Sequence, residues 1–113
     1  MTRAHRGTEA WDRETCPPVS AARLSRIHGL SVREREIARR AAFAAAEYRR
    51  WYASELGERT HYPGTTAEQV VEQEMDAGPR RQARVLAVAA AMAREWGVDL
   101  TSQLTAGHYR GVP

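Results

Sequence analysis

An all-α fold is predicted: a small bundle of three main helices, over about residues 32–56, 66–77 and 79–96, with short helical turns flanking them. Three observations predict it. No segment alternates apolar and polar residues with period two, and the β-branched residues are scattered. Two stretches, Ser31-Val-Arg-Glu34 and Thr65-Thr-Ala-Glu68, carry the capping-box pattern, in which a hydroxyl and a carboxylate each satisfy an amide at a helix start. Glycine punctuates the chain where each apolar-periodic run stops.

The elements follow in order. Residues 1–18 are polar, lack periodicity and end in Pro17-Pro18, as expected of a flexible N-terminal arm that Trp11 can pin. A single helical domain is expected over 19–104 and a tail over 105–113. From Ser20, the three-residue steps of Ala21, Leu24 and Ile27 predict a short helix stopped at His28-Gly29. The long helix then opens at Ser31, with Leu30 placed for a hydrophobic staple. Ile37, Ala41, Ala44, Ala45, Tyr48, Trp51, Tyr52 and Leu56 fall on one broad face, its core side, and Gly57 stops it. The segment ERTHYPG is a turn. The next helix is acidic, with Val71 and Met75 inward and Val70 at the margin. Gly78-Pro79 separates it from the last long helix, which is expected to bury Val85, Val88, Ala89, Met92 and Trp96 before Gly97. Asp99 or Thr101 caps one more turn, and the many alanines favour close helix approach.

Composition limits the function classes. Hydrophobic residues make up 42% of the chain, but many are alanine, so the core is thin and self-association would supplement it. All 17 basic residues are arginine, and the chain has neither lysine nor asparagine. Both are encoded by AT-rich codons, so a GC-rich genome accounts for the bias and a pI near 9.6 does not by itself indicate nucleic acid. Without lysine, Schiff-base catalysis through a side-chain amine is excluded. Charge is zoned: residues 1–50 carry a balance of +5, 51–78 of −5 and 79–113 of +3. An acidic middle can neutralise its basic flanks on folding. Cys16 alone makes neither an internal disulfide nor a metal site. No apolar run approaches the roughly 18 residues of a membrane span, and no signal-peptide core opens the chain, so a cytoplasmic protein is expected.

The candidate interaction face lies on the long helix. At about 100° per residue, Arg35, Arg39, Arg50 and Phe43 share the side opposite the core, while Arg40 and Arg49 fall nearer its margins. A lone phenylalanine among arginines and alanines on a wet face admits three readings. It is a solvated face with Phe43 covered by the arm, a dimer or partner interface anchored by Phe43 with arginines as rim, or a phosphate-binding surface. The last would recruit Arg3, Arg6 and Arg13 of the arm beside Arg35, Arg39 and Arg50. Glu68, Glu72, Glu74 and Asp76 read as a solvated acidic face, or one paired with Arg80, Arg81 or Arg84. His5, His28, His61 and His108 all fall in predicted loops or tails, and no metal site or catalytic constellation is predicted. The loops His61-Tyr-Pro-Gly64 and Gly107-His-Tyr-Arg-Gly111 would line a pocket with Trp51 or Trp96 if they met.

Two short stretches resemble known families. Leu30-Ser-Val-Arg-Glu-Arg-Glu-Ile-Ala38 resembles the first helix of LuxR-type helix-turn-helix proteins over nine residues. That family continues with a glycine turn and two short helices, whereas here the helix runs on through AAFAAAEYRRWYASEL and leaves no place for a reading helix. Ala93–Leu104, AREWGVDLTSQL, looks like the end of MazG-type nucleotide pyrophosphohydrolases. That resemblance implies an all-α enzyme with magnesium held by Glu-x-x-Glu and Glu-x-x-Asp pairs. The corresponding helix here offers Arg80, Arg81 and Arg84.

The expected function is therefore a non-catalytic helical interaction or regulatory module that acts through protein–protein contacts, either as a homo-oligomer such as a homodimer or with a protein partner. An arginine-rich nucleic-acid-binding accessory protein is the alternative, and a MazG-like relative lacking the usual metal carboxylates the remote one. No cofactor and no membrane partner are expected.

Overall fold

The computed structural model describes residues 18–54 and 62–106, the last two by backbone alone. All regular structure among them is helical: α1 (Ala21–Ile27), α2 (Val32–Tyr52), α3 (Ala67–Glu74), α4 (Pro79–Glu95) and α5 (Leu100–Ala106). Residues 1–17 of the arm, Leu56 and Gly57, and the C-terminal tail beyond residue 106 lie outside the described residues.

Local chemistry sets each boundary. The Ser20 hydroxyl accepts from the Arg23 amide at 3.2 Å and starts α1. Both halves of the Ser31–Glu34 capping box are formed at the start of α2, at 3.1 and 2.9 Å. The box of α3 lies one residue later than the sequence pattern suggested. Thr66 and Gln69 form it, with the Thr66 amide donating to Gln69 Oε1 at 2.9 Å. In that frame Ala67 and Val71, four apart, both reach the core. Pro79 opens α4 directly behind Gly78, and the Asp99 carboxylate accepts from the Ser102 amide at 3.0 Å in the first turn of α5. The main helices are shorter than predicted. α2 ends at Tyr52 and α3 at Glu74, where Met75 is already extended on the approach to Gly78-Pro79.

α1 and α4 end in the same way. Gly29 and Gly97 take φ of 65° and 81°. The residue after each glycine donates back to the helix, Leu30 to Ser25 at 3.0 Å and Val98 to Ala93 at 2.8 Å. These are Schellman stops, and both closing residues, Leu30 and Val98, are buried as that motif favours.

α2 is the central element, packing most extensively against α4 and next against α3, while α1 covers α4 and α5 closes one end. The contact surfaces are largely alanine. Ala38, Ala41, Ala42 and Ala45 of α2 are all fully buried, as are Ala89 and Ala93 of α4 beside Val85 and Val88. Small side chains let the helix axes approach closely. Ile37, Val71 and Leu100 are buried in one cluster with these alanines, and Tyr48 is the largest fully buried side chain. Three residues expected inside are not. Ile27 is 61% exposed because α1 turns Ala21 and Ser25 inward and leaves Ile27 on the far side, and Tyr52 and Trp96, at the ends of their helices, are 41% and 45% exposed.

Arg81 ties the fold together across the chain. Its guanidinium donates to both oxygens of Glu34, at 2.8 and 2.6 Å, and to the carbonyls of His28 and Gly29 at 3.3 and 2.8 Å. One side chain of α4 thus holds the end of α1 and the start of α2. The Arg81 hydrogen bonds, with the Ser31 amide, lower the Glu34 carboxyl from 4.5 to about 2. The carboxylates of α3 pair differently from the sequence expectation. Glu74 takes Arg40 at 3.2 Å and Arg33 at 3.5 Å, both from α2 rather than from α4. Elsewhere Glu95 accepts from the Ala21 amide at 2.9 Å, and the buried Gln103 donates to the Ala45 carbonyl at 2.9 Å.

A depressed carboxyl stabilises the fold above its unfolded pKa and loses that contribution as pH falls through the folded value. Glu34→Gln should lower unfolding free energy at pH 7 by roughly 1–2 kcal/mol, given a partly solvated pair. Denaturant titrations should show that deficit narrowing as pH drops from 4.5 towards 2. Ser25 is 2% exposed and its hydroxyl has no hydrogen-bond partner among the described residues. Since a buried unpaired hydroxyl is destabilising, Ser25→Ala should leave the melting temperature unchanged or raise it, by up to about 1 kcal/mol in stability.

Candidate functional site

α2 has two solvent-facing edges because α3 and α4 flank it on either side of its buried alanines. Phe43 stands on the ridge between them, 51% exposed. It lines one groove with Arg40, Glu47 and Val70. On its other side its ring lies against Trp96, with centroids 4.8 Å apart and planes inclined by 31°. Trp96 is the C-cap of α4, so the indole leaves the helix where the chain turns at Gly97. Two of the largest exposed apolar side chains are therefore stacked on each other and open to solvent.

A second groove runs beside this pair, lined by Val32, Arg35 and Arg39 of α2, Ser25 of α1, and Met92 and Trp96 of α4. Val32 is 74% exposed. The two arginines sit at this groove with restrained charges. Arg35 donates to the Leu30 carbonyl at 3.1 Å, and Arg39 pairs with Glu36 at 3.3 Å. The surface is thus apolar and aromatic with a mixed-charge margin, the character of a protein-contact patch.

The structure brings Arg35, Arg39 and Phe43 to this one surface, but Arg50 lies two turns beyond Phe43 at a different site. There Tyr62 packs edge-on against Tyr48, with centroids 5.1 Å apart, and lies 5.3 Å from Trp51. Burial pushes the Tyr62 phenol up, reinforced by Glu47 and opposed by Arg50. Of the aromatic–histidine loops, Tyr62 does meet Trp51. His61 and residues 107–111 lie outside the described residues, as do Arg3, Arg6 and Arg13.

Sequence reasoning did not place Val32 or Trp96 on this surface. Val32 falls on the same helical face as Phe43, eleven residues before it, so helical spacing is the signal that could have found it. Trp96 continues the buried spacing of Val85, Val88, Ala89 and Met92, so periodicity alone assigned it to the core. Among the described residues no three His, Cys, Asp or Glu side chains gather as a metal site, and no helix is long and apolar enough to cross a membrane.

Because Phe43 is half-exposed, Phe43→Ala should cost less than about 1 kcal/mol in chemical denaturation, whereas Tyr48→Ala, 2% exposed, should cost about 3–5 kcal/mol. Compared with protein-family models, curated proteins and solved structures, the chain matches none.

Proposed function

We propose that the chain is a non-catalytic helical interaction module that acts through protein–protein contacts and self-associates. The observation that carries this reading is the exposed Phe43–Trp96 stack, set beside a groove with Val32, Met92, Arg35 and Arg39. Large aromatic side chains with arginine at the margin are the groups that dominate binding at protein interfaces. The folded core adds a second support. Half of its buried cluster among the described residues is alanine, which removes little area from water per residue. A protein built this way gains stability by covering exposed apolar surface with another chain.

The alternative, phosphate contact through Arg35, Arg39 and Arg50, draws less support. Arg39 is engaged by Glu36, Arg35 by a backbone carbonyl, and Arg50 stands apart from both. The full chain should run as an oligomer in size-exclusion chromatography with light scattering, and Phe43→Asp should dissociate it while preserving helical circular dichroism. A monomer at all concentrations, or an oligomer indifferent to Phe43→Asp, contradicts the proposal. Tight binding of generic duplex DNA, weakening steeply with salt, would favour the alternative.

A further inference from the structure

The exposed edge of α2 contains a pattern beyond the Phe43–Trp96 pair. Val32, Glu36, Arg39 and Phe43 are all exposed and follow one another at steps of four, three and four residues. That is the spacing of a coiled-coil seam, the stripe along which one helix lies on another. The core of the fold uses the opposite side of α2, where Ile37, Ala38, Ala41, Ala42 and Ala45 are buried. The seam is therefore a second face of α2, touched by Trp96 at Phe43 but with no helix laid along it among the described residues.

The order of chemistry along the seam is apolar, acidic, basic, apolar. Two copies laid parallel in register would set Glu36 against Glu36 and Arg39 against Arg39, two like-charge contacts at the centre. Two copies laid antiparallel about a twofold axis between Ile37 and Ala38 meet differently. Glu36 of each copy then faces Arg39 of the other, and Val32 of each faces Phe43 of the other. Every contact is matched, and each is repeated by symmetry, as a closed twofold interface requires. Charge complementarity thus selects both the occupant and its direction.

The surroundings fit this arrangement. Trp96 lies against Phe43, so Val32 of the partner would meet two rings rather than one. Of the arginines next to the seam, Arg33 and Arg40 share the Glu74 carboxylate and Arg35 is turned to the Leu30 carbonyl, so their guanidinium groups are drawn to its margins. Glu36 and Arg39 pair within their own helix at 3.3 Å, with side chains 51% and 54% exposed, and so remain accessible to a second copy.

We propose that two copies of this chain pair through α2 in antiparallel orientation, with reciprocal Glu36–Arg39 ion pairs at the centre and Val32–Phe43 contacts at both ends. This rests on the self-association reading above and specifies its geometry. The test uses the full chain with Cys16→Ser, spin-labelled at Glu47→Cys, an exposed position outside the seam. With a rise of about 1.5 Å per residue and axes about 8–10 Å apart, antiparallel pairing places the two labels about 30 Å apart, and parallel pairing about 10 Å. In the unlabelled chain, Glu36→Arg and Arg39→Glu should each weaken the dimer roughly tenfold or more by light scattering across a dilution series. The double variant E36R/R39E should return to within about threefold of the parent. Circular dichroism confirms that each variant is folded. A monomer at every concentration overturns the self-association reading and this geometry with it. A dimer that Phe43→Asp dissociates, but with labels near 10 Å or with no recovery in the double variant, overturns the antiparallel arrangement alone.

Discussion

The close approach of α2 to α4 over alanine is the constraint from which the rest of the structure follows. With Ala38, Ala41, Ala42 and Ala45 facing Ala89, Ala93 and the valines between them, the helices meet across methyl groups. The large rings lie away from this seam, where Tyr48 packs with Trp51, Tyr52 and Tyr62 and where Phe43 and Trp96 lie half-exposed against each other. A seam this narrow is economical in conformational entropy, since alanine loses no rotamer freedom on burial. It also removes little apolar area from water per residue. The exposed stack and the thin core are thus two results of one packing choice.

Charge serves the same architecture. The zoned balance along the sequence suggested that an acidic middle meets basic flanks, and the described residues show where two of those pairings fall. Glu74 of the acidic segment bridges to Arg33 and Arg40 on α2. Arg81 leaves the acidic segment aside and binds Glu34, joining α4 to the end of α1 and the start of α2, which lie far before it in sequence. Here the planar fork of arginine matters, because it contacts a carboxylate and two carbonyls at once, a task poorly suited to an ammonium group. A bias in composition has become a structural asset at this position.

Much of the fold was legible in the sequence because its signals are local. Ser31 and Glu34 announce a helix start, and Gly29 and Gly97 announce two stops, each through hydrogen bonds within a few residues. The one-residue slip at Thr65-Thr66 shows the limit of such signals. Two adjacent threonines each have an acceptor three residues on, and only the burial of Ala67 and Val71 decides between them. The surface patch was half legible. Helical geometry separates Phe43 from the core using α2 alone, but the position of Trp96 depends on where α4 ends relative to α2. That is a tertiary fact, and it runs against the spacing of Trp96 with the valines before it. Arg50 illustrates the converse, since a shared angular position on a helix says nothing about the axial distance that separates it from Phe43.

The two glycine stops carry a further implication. A Cβ added at Gly29 or at Gly97 would meet no atom within 4 Å other than those of its chain neighbours. Neither position is closed by crowding, and each is restricted only by its left-handed backbone. Asparagine is the residue that other proteins most readily exchange for glycine under that restriction, and this chain contains none. Both corners thus have room for a side chain but not the backbone preference of one, so a residue such as alanine there would strain the turn without displacing a neighbour.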